Sequence, residues 1–430
     1  MTRPGTEIIS REQPVPRSAP TDTGVWYAVG ATAIGPTEPT LITSLTQYES
    51  VFGDRAGGTV LYDAVDAYFR EGGARVYIAA IPTTPTVLLA ESAVDLDSLT
   101  RAELDAIAEQ NGLDPSDYST KAEVIAAIEG ANGHVPSLQA ATASDLIAAL
   151  DRFNADLGPG QVSIPGGTDS ASHTALLDHA ESHNRIALLD AADNAAAASL
   201  IAAATALRSA DNARYGSLWA PNAIIPGVAA GTTRQVGFSA IVAGLIARSD
   251  ASYNPNVPAA GVNGLSRYAT DLTYRYTDDE YQSLNEGGVD MARLIYGGVE
   301  SYGYRTLVDP DGPQQTWLDL GNARLNMAIV AEADQIAERF VFSQIDGRGR
   351  TISQFGAELR AMLVPFYEAD ALFGATPDDA FFVDVGSQVN TPETIAAGEL
   401  HAVIEVRMSP FAELVVIEIV KVATTQSIAA

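Results

Sequence analysis

The side chains best placed for chemistry in this sequence are three histidines, His173, His179 and His183. The i, i+4 spacing of His179 and His183 puts two imidazoles on one helix face, as a metal site requires. No Glu follows the first of them as in HExxH, and Asn184 ends the helix directly after the second. The expectation is surface histidines rather than ligands. Asp309-Pro-Asp-Gly312 opens like a calcium loop but lacks the further oxygen ligands and the bidentate Glu at position 12, so it reads as a turn. The chain has no cysteine, which removes thiolate nucleophiles, disulfides and Cys-based metal sites together. No GxGxxG, GxxxxGK[ST] or GxSxG string occurs. The glycine pairs at 72–73, 166–167 and 297–298 lack the flanking pattern of a phosphate cradle. Among 54 acidic residues chance carboxylate pairs are inevitable, and none is singled out for hydrolysis. The chain reads as a non-enzyme with no cofactor and no metal.

Composition points the same way. The 430 residues suggest two to four domains, and 47% apolar content supports a large core. A formal net charge of −29 repels nucleic acid and anionic membranes. Basic residues are 23 Arg and two Lys (Lys121 and Lys421). The first 20 residues contain no apolar signal-peptide region. The longest apolar run, Val236 to Ala247, is shorter than the roughly 20 residues a membrane span needs. The expectation is a soluble protein made in a cytoplasm.

The elements form a mixed α/β pattern. Residues 1–20 read as an arm in which Thr6-Glu7-Ile8-Ile9-Ser10 forms a short strand between prolines. Such a strand must pair with another sheet edge, in its own chain or a neighbour's. An α/β domain spans 21–260, with strands at Val25–Val29, Thr40–Thr43, Arg75–Ile81, Gln161–Ile164, Arg185–Asp190 and Ser217–Ala220. Helices alternate with them, which argues for a partly parallel sheet. An insert at about 94–133 holds two capping boxes, Thr100–Glu103 and Thr120–Glu123. It reads as a small two-helix module resembling SAP-like and HeH-like folds. Nine acids against Arg101 and Lys121 give it a net of −7, the wrong sign for phosphate, so it reads as a surface knob.

A Pro-, Asn- and Gly-rich stretch at about 250–264 reads as a linker to a second domain at 265–411. Strands are expected there at Asp271–Tyr276, Met291–Tyr296 and Tyr302–Leu307, with long helices near Leu325–Val341 and Ile352–Phe373. Leu400, Ala402, Ile404, Val406 and Met408 alternate with His401, Val403, Glu405 and Arg407, the mark of a half-buried strand. Residues 412–430 form a second arm. In it Leu414, Val416, Ile417, Ile419 and Val420 belong to a strand apolar on both faces, an aggregation hazard unless another strand always covers it.

With these elements placed, the chain resembles the tail sheath proteins of contractile-tailed bacteriophages and related injection particles. The resemblance rests on Arg3-Pro-Gly-Thr-Glu-Ile8, Gly24-Val-Trp-Tyr-Ala-Val-Gly30 and Tyr68-Phe-Arg-Glu-Gly-Gly-Ala-Arg-Val-Tyr-Ile-Ala79. It continues through Arg185–Asp190, Ala243-Gly-Leu-Ile-Ala-Arg-Ser-Asp250, Val257–Gly261, Gly303-Tyr-Arg-Thr-Leu307 and Asn322-Ala-Arg-Leu-Asn326, in that order. It covers most of the chain apart from the insert. Two departures stand out: Glu300-Ser-Tyr-Gly-Tyr304 where relatives carry Trp-Gly, and a degenerate Arg-rich helix start at Asn322-Ala-Arg324.

The resemblance implies a structural subunit in a helical homopolymer around an inner tail tube, bounded by a baseplate and a tail terminator. It also implies residence in a virion tail assembled in a host cytoplasm, and contraction that serves genome ejection. Terminal arms would add strands to adjacent subunits: Thr6–Arg11 and part of Leu414–Val422 as donors, Leu400–Met408 as acceptor. Arg348 and Arg350, a rare positive cluster, are expected to face the tube. The alternatives are a sheath from a bacteriocin or secretion machine or, in a different class, a glycan-binding or hydrolytic tail protein.

Overall fold

Strand β1 (Trp26–Thr32) is apolar over nearly its whole length, and every side chain but Ala31 is buried. That pattern belongs to a parallel strand covered on both faces. The computed structural model describes residues 22–32, 34–55, 59–82, 100–101, 104–105, 120–130, 141–208, 210–228 and 231–412. After β1 come β2 (Thr40–Ile42), α1 (Leu45–Phe52), α2 (Thr59–Glu71) and β3 (Val76–Pro82). Next are α3 (Lys121–Gly130), α4 (Ala143–Leu150), β4 (Gln161–Ser163), α5 (Ser170–Ser182), β5 (Ile186–Asp190) and α6 (Ala197–Arg208). Then follow β6 (Gly216–Ala220), β7 (Ala223–Pro226), β8 (Thr233–Val236), α7 (Phe238–Ser252), β9 (Asp271–Leu272) and α8 (Asp278–Glu286). The hairpin β10 (Asp290–Ile295) and β11 (Gly298–Ser301) leads into α9 (Leu320–Glu338).

Eight strands form one sheet in the order β11-β10-β6-β5-β4-β1-β3-β2. From β10 to β3 neighbours run parallel, while β2 and β11 close the two edges antiparallel. Side chains alternate along β1, so Trp26 and Ala28 join a core with α2 and α7, and Tyr27 and Val29 join another with α4, α5, α6 and α8. The result is a sheet between two helical layers. Helices α2 and α7 cross closely at Gly244, where a Cβ would lie 2.6 Å from Glu71 Cβ and 2.8 Å from the Tyr68 carbonyl. Side-chain caps start several helices as the sequence suggests: Thr277 with Glu280 closes a capping box on α8, and Thr120 with Glu123 does so on α3. Glu103 of the other box in the insert lies outside the described residues, as do residues 1–21 and 413–430.

The structure differs from the sequence reading in four places. The stretch read as a linker leads back into the same sheet, because β10 takes β6 as its neighbour. The two compact units are instead Met1–Gln344 and Ile345–Ala430. The strand expected at Tyr302–Leu307 is a loop with one bridge, Arg305 to Asp319; the strand lies earlier, at β11, because Tyr296-Gly297 makes the turn first. Only Asp271–Leu272 of the expected Asp271–Tyr276 strand forms. Finally, His173 and His179 are buried at 3% and 6% exposure rather than on the surface.

The smaller unit holds α10 (Arg350–Glu368), α11 (Pro377–Ala380), β12 (Phe381–Asp384), α12 (Pro392–Ala397) and β13 (Val403–Val406). Strands β12 and β13 pair antiparallel as a two-stranded sheet packed beside α10.

Candidate assembly surface

In the smaller unit, Phe381, Val383, Ile404 and Val406 share one face of the β12–β13 sheet by register. Phe381 is buried against the Arg360 guanidinium, yet Ile404 and Val406 stay partly open. The opposite face is more open still, with Phe382 and Val403 at 54% and 45% exposure. Two strands alone make a marginal sheet, and no third strand joins this one among the described residues. Its outer edges are therefore the kind of surface on which another chain's strand adds. Leu400 and Ala402 precede β13 in non-strand backbone, half-buried. Asn390 fixes that approach: its amide bonds the carbonyls of Val385 and His401, and its oxygen accepts from the His401 amide. Leu414, Val416, Ile417, Ile419 and Val420 lie outside the described residues, as do Thr6, Glu7, Ile8, Ile9 and Ser10.

Arg348 and Arg350 are both exposed, at the start of α10. Asp346 orders this turn: its carboxylate accepts from the Arg348 and Thr351 amides at 2.9 and 3.0 Å, which holds its pKa below the usual range. Arg324 is wholly buried, so the degenerate helix start is a core feature and not a tube-facing one.

Behind the surfaces of the larger unit lies a set of buried charges that the sequence did not single out. Arg324 of α9 meets Asp250 at 2.5 Å and the Pro255 carbonyl at 2.9 Å, and Asp250 also accepts from Thr23 at 2.7 Å. Arg234 of β8 bridges Asp63 and Asp66 of α2 at 2.5 and 2.6 Å, with the Tyr268 hydroxyl beside it. Glu71, fully buried at the end of α2, accepts from the Ser266 hydroxyl, from the Arg267 and Tyr268 amides and from Arg248. Each cluster ties segments far apart in sequence, and a buried charge without such partners is costly. For two of these three clusters a signal existed. Glu71, Asp250 with Arg248, and Arg324 all fall inside the strings that carry the resemblance.

Arg185 is a different case. Its guanidinium bonds the carbonyls of Phe153, Asn154 and Gly158 and the His179 Nε2 at 2.8 Å, and lies 3.9 Å from the Tyr27 ring centroid. None of these partners carries negative charge. His179 must therefore be neutral at Nε2 to accept. Burial, then His183 and Arg185, push its pKa down to about 3. His183 stacks on His179 with ring centroids 4.2 Å apart, and His173 bonds the Asp190 carbonyl at 3.0 Å. The three histidines thus serve packing and backbone satisfaction.

The crevice where chain direction switches in the sheet, between β1 and β4, is where open α/β folds commonly hold ligands. Nearby, the buried Asp190 at the end of β5 accepts from the Gly166 amide, in the loop after β4, and from the Ser239 amide and hydroxyl at 2.9 to 3.0 Å. Burial raises its pKa. The carboxylate is committed to fixing the start of α7, and Asp309 to Gly312 forms the turn its residues favour.

No protein-family model and no curated protein matches the sequence. Solved structures do. The chain is similar to a protein of the anti-feeding prophage helical sheath in its contracted state, with a TM-score of 0.62 and 18% identity over 98% of this chain and 99% of that one. It is similar to the PVC sheath complex of an extracellular contractile injection system, also contracted, at TM-score 0.56 and 16% identity over 98% of each chain. A sheath tail protein from Desulfitobacterium hafniense matches at TM-score 0.53 and 12% identity over 89% of this chain and 93% of that one. The mixed α/β fold of this chain is that of contractile-sheath proteins.

Proposed function

We propose that this chain is the structural subunit of a contractile sheath. Many copies polymerise as a helical mesh around an inner tube, and contraction drives the tube through a target cell envelope. The observation that carries this reading is the end-to-end likeness to contracted sheath proteins, over 98% of this chain. The open β12–β13 edges support the mesh. Strands from neighbours' arms, Thr6–Ser10 and Leu414–Val420, complete this sheet, and the sheet in turn shields the doubly apolar arm. Backbone pairing tolerates rotation of one subunit against another better than side-chain contacts do. The mesh therefore persists while the lattice moves from an extended to a compact, lower-energy arrangement with no nucleotide consumed. Arg348 and Arg350 face the tube, and a baseplate and a terminator bound the polymer. The chain has no catalytic role.

The setting is a contractile phage tail or an extracellular injection machine. Both settings fit the likeness, which covers 98% of this chain for the injection-system sheaths and 89% for the bacterial sheath tail protein. Co-production with the inner-tube protein of a contractile machine tests the core reading. Tubes coated with this chain in electron micrographs are expected; bare tubes with the chain left in the soluble fraction would overturn it.

A further inference from the structure

The β10–β11 hairpin turns through two residues, Tyr296 and Gly297, between the paired Ile295 and Gly298. Both have positive φ, 48° and 87°, as a type I′ turn demands, and the first position of such a turn favours Asn, Asp or Gly. A bulky tyrosine in left-handed backbone is an outlier that costs on the order of 1 kcal/mol. Among the described residues nothing offsets that cost by burial, because the Tyr296 side chain is fully exposed. Strain held at an exposed position is a pointer to function.

The surroundings define the partner. Residues 294–299, Leu-Ile-Tyr-Gly-Gly-Val, carry no charge in a chain of net −29. Leu265, 43% exposed, lies across the hairpin: a Cβ on Gly298 would stand 2.7 Å from its Cδ1. Two like-charged copies repel wherever their acidic surfaces meet, so close approach needs uncharged contact points, and interface centres are depleted of charge and rich in tyrosine. In a helical sheath every subunit is ringed by copies of itself. We infer that Tyr296 is an aromatic anchor that docks into a second copy of this chain, an inference that rests on the sheath reading above.

Tyr296→Asn separates the two roles of the residue. It installs the favoured Asn-Gly turn, so the monomer's thermal midpoint is expected to stay level or rise. The critical concentration for polymerisation is expected to rise about ten-fold or more, the loss typical of a buried aromatic anchor. Tyr296→Phe keeps the ring and is expected to polymerise normally. A photo-reactive aromatic at position 296 should cross-link to a second copy within assembled tubes. Normal polymerisation of Tyr296→Asn, or cross-links to the tube protein instead, would overturn the anchor while leaving the sheath reading intact. Absence of any polymer from the wild-type chain, with its tube present, would bring down the sheath reading and the anchor with it.

Discussion

At the scale of single residues, the larger unit is held by buried charges whose partners are remote in sequence. Arg324 is fully buried and Asp250 nearly so. Arg324→Met strands a carboxylate in the core, and the expected loss is about 3–5 kcal/mol of stability by chemical denaturation. Adding Asp250→Leu should recover most of that loss. A cost under about 1 kcal/mol for the single variant would mean that the pair does not hold α9 in place. His179 gives a pH dependence. Its folded pKa, about 3, lies below the ordinary 6.5, so its contribution to stability is complete above pH 6.5 and declines as pH falls toward 3. The slope it adds is at most about 1.4 kcal/mol per pH unit. His179→Gln, whose amide oxygen still accepts from Arg185 but does not titrate, should flatten the loss of thermal midpoint between pH 6.5 and 4.5. An unchanged slope would place the sensitivity elsewhere. The histidine spacing was legible in the sequence, but its burial was not, because the Arg185 that claims His179 is recognisable only once α5 and β5 are packed together.

At the scale of elements, strands and capped helices were the most legible parts. Apolar runs marked β1, β3 and β5, and the Thr277 and Thr120 boxes formed as read. Helix α7 was legible only as an apolar stretch. Its residues 238 to 247 are all buried, and a helix apolar all round has no polar face from which to read a period. The strand near Tyr302 was misplaced because the turn before it uses Tyr-Gly rather than the Asn-Gly that signals a hairpin. The candidate acceptor sheet was legible in part, since the alternation of Ile404 and Val406 agrees with their shared face. Completion of that sheet by other copies predicts that deleting residues 1–12 leaves the monomer folded by circular dichroism and abolishes ordered tubes. Contractile sheaths from the truncated chain would refute strand donation by this arm.

At the scale of the whole molecule, two compact units, a strongly acidic surface and no catalytic grouping that the sequence could isolate all suit a chain whose work is assembly. On the proposed reading, net charge of this size keeps subunits apart until the strand and aromatic contacts outweigh repulsion. Raising ionic strength shortens that repulsion, with a Debye length falling from about 10 Å at 0.1 M to about 3 Å at 1 M. The most direct test is electron microscopy of the purified chain across a concentration series at low and high salt, with and without its tube protein. Long hollow helical tubes or stacked rings, forming at lower concentration as salt rises, are the predicted result. Monomers or small closed rings at every concentration, even beside the tube protein, would contradict the account.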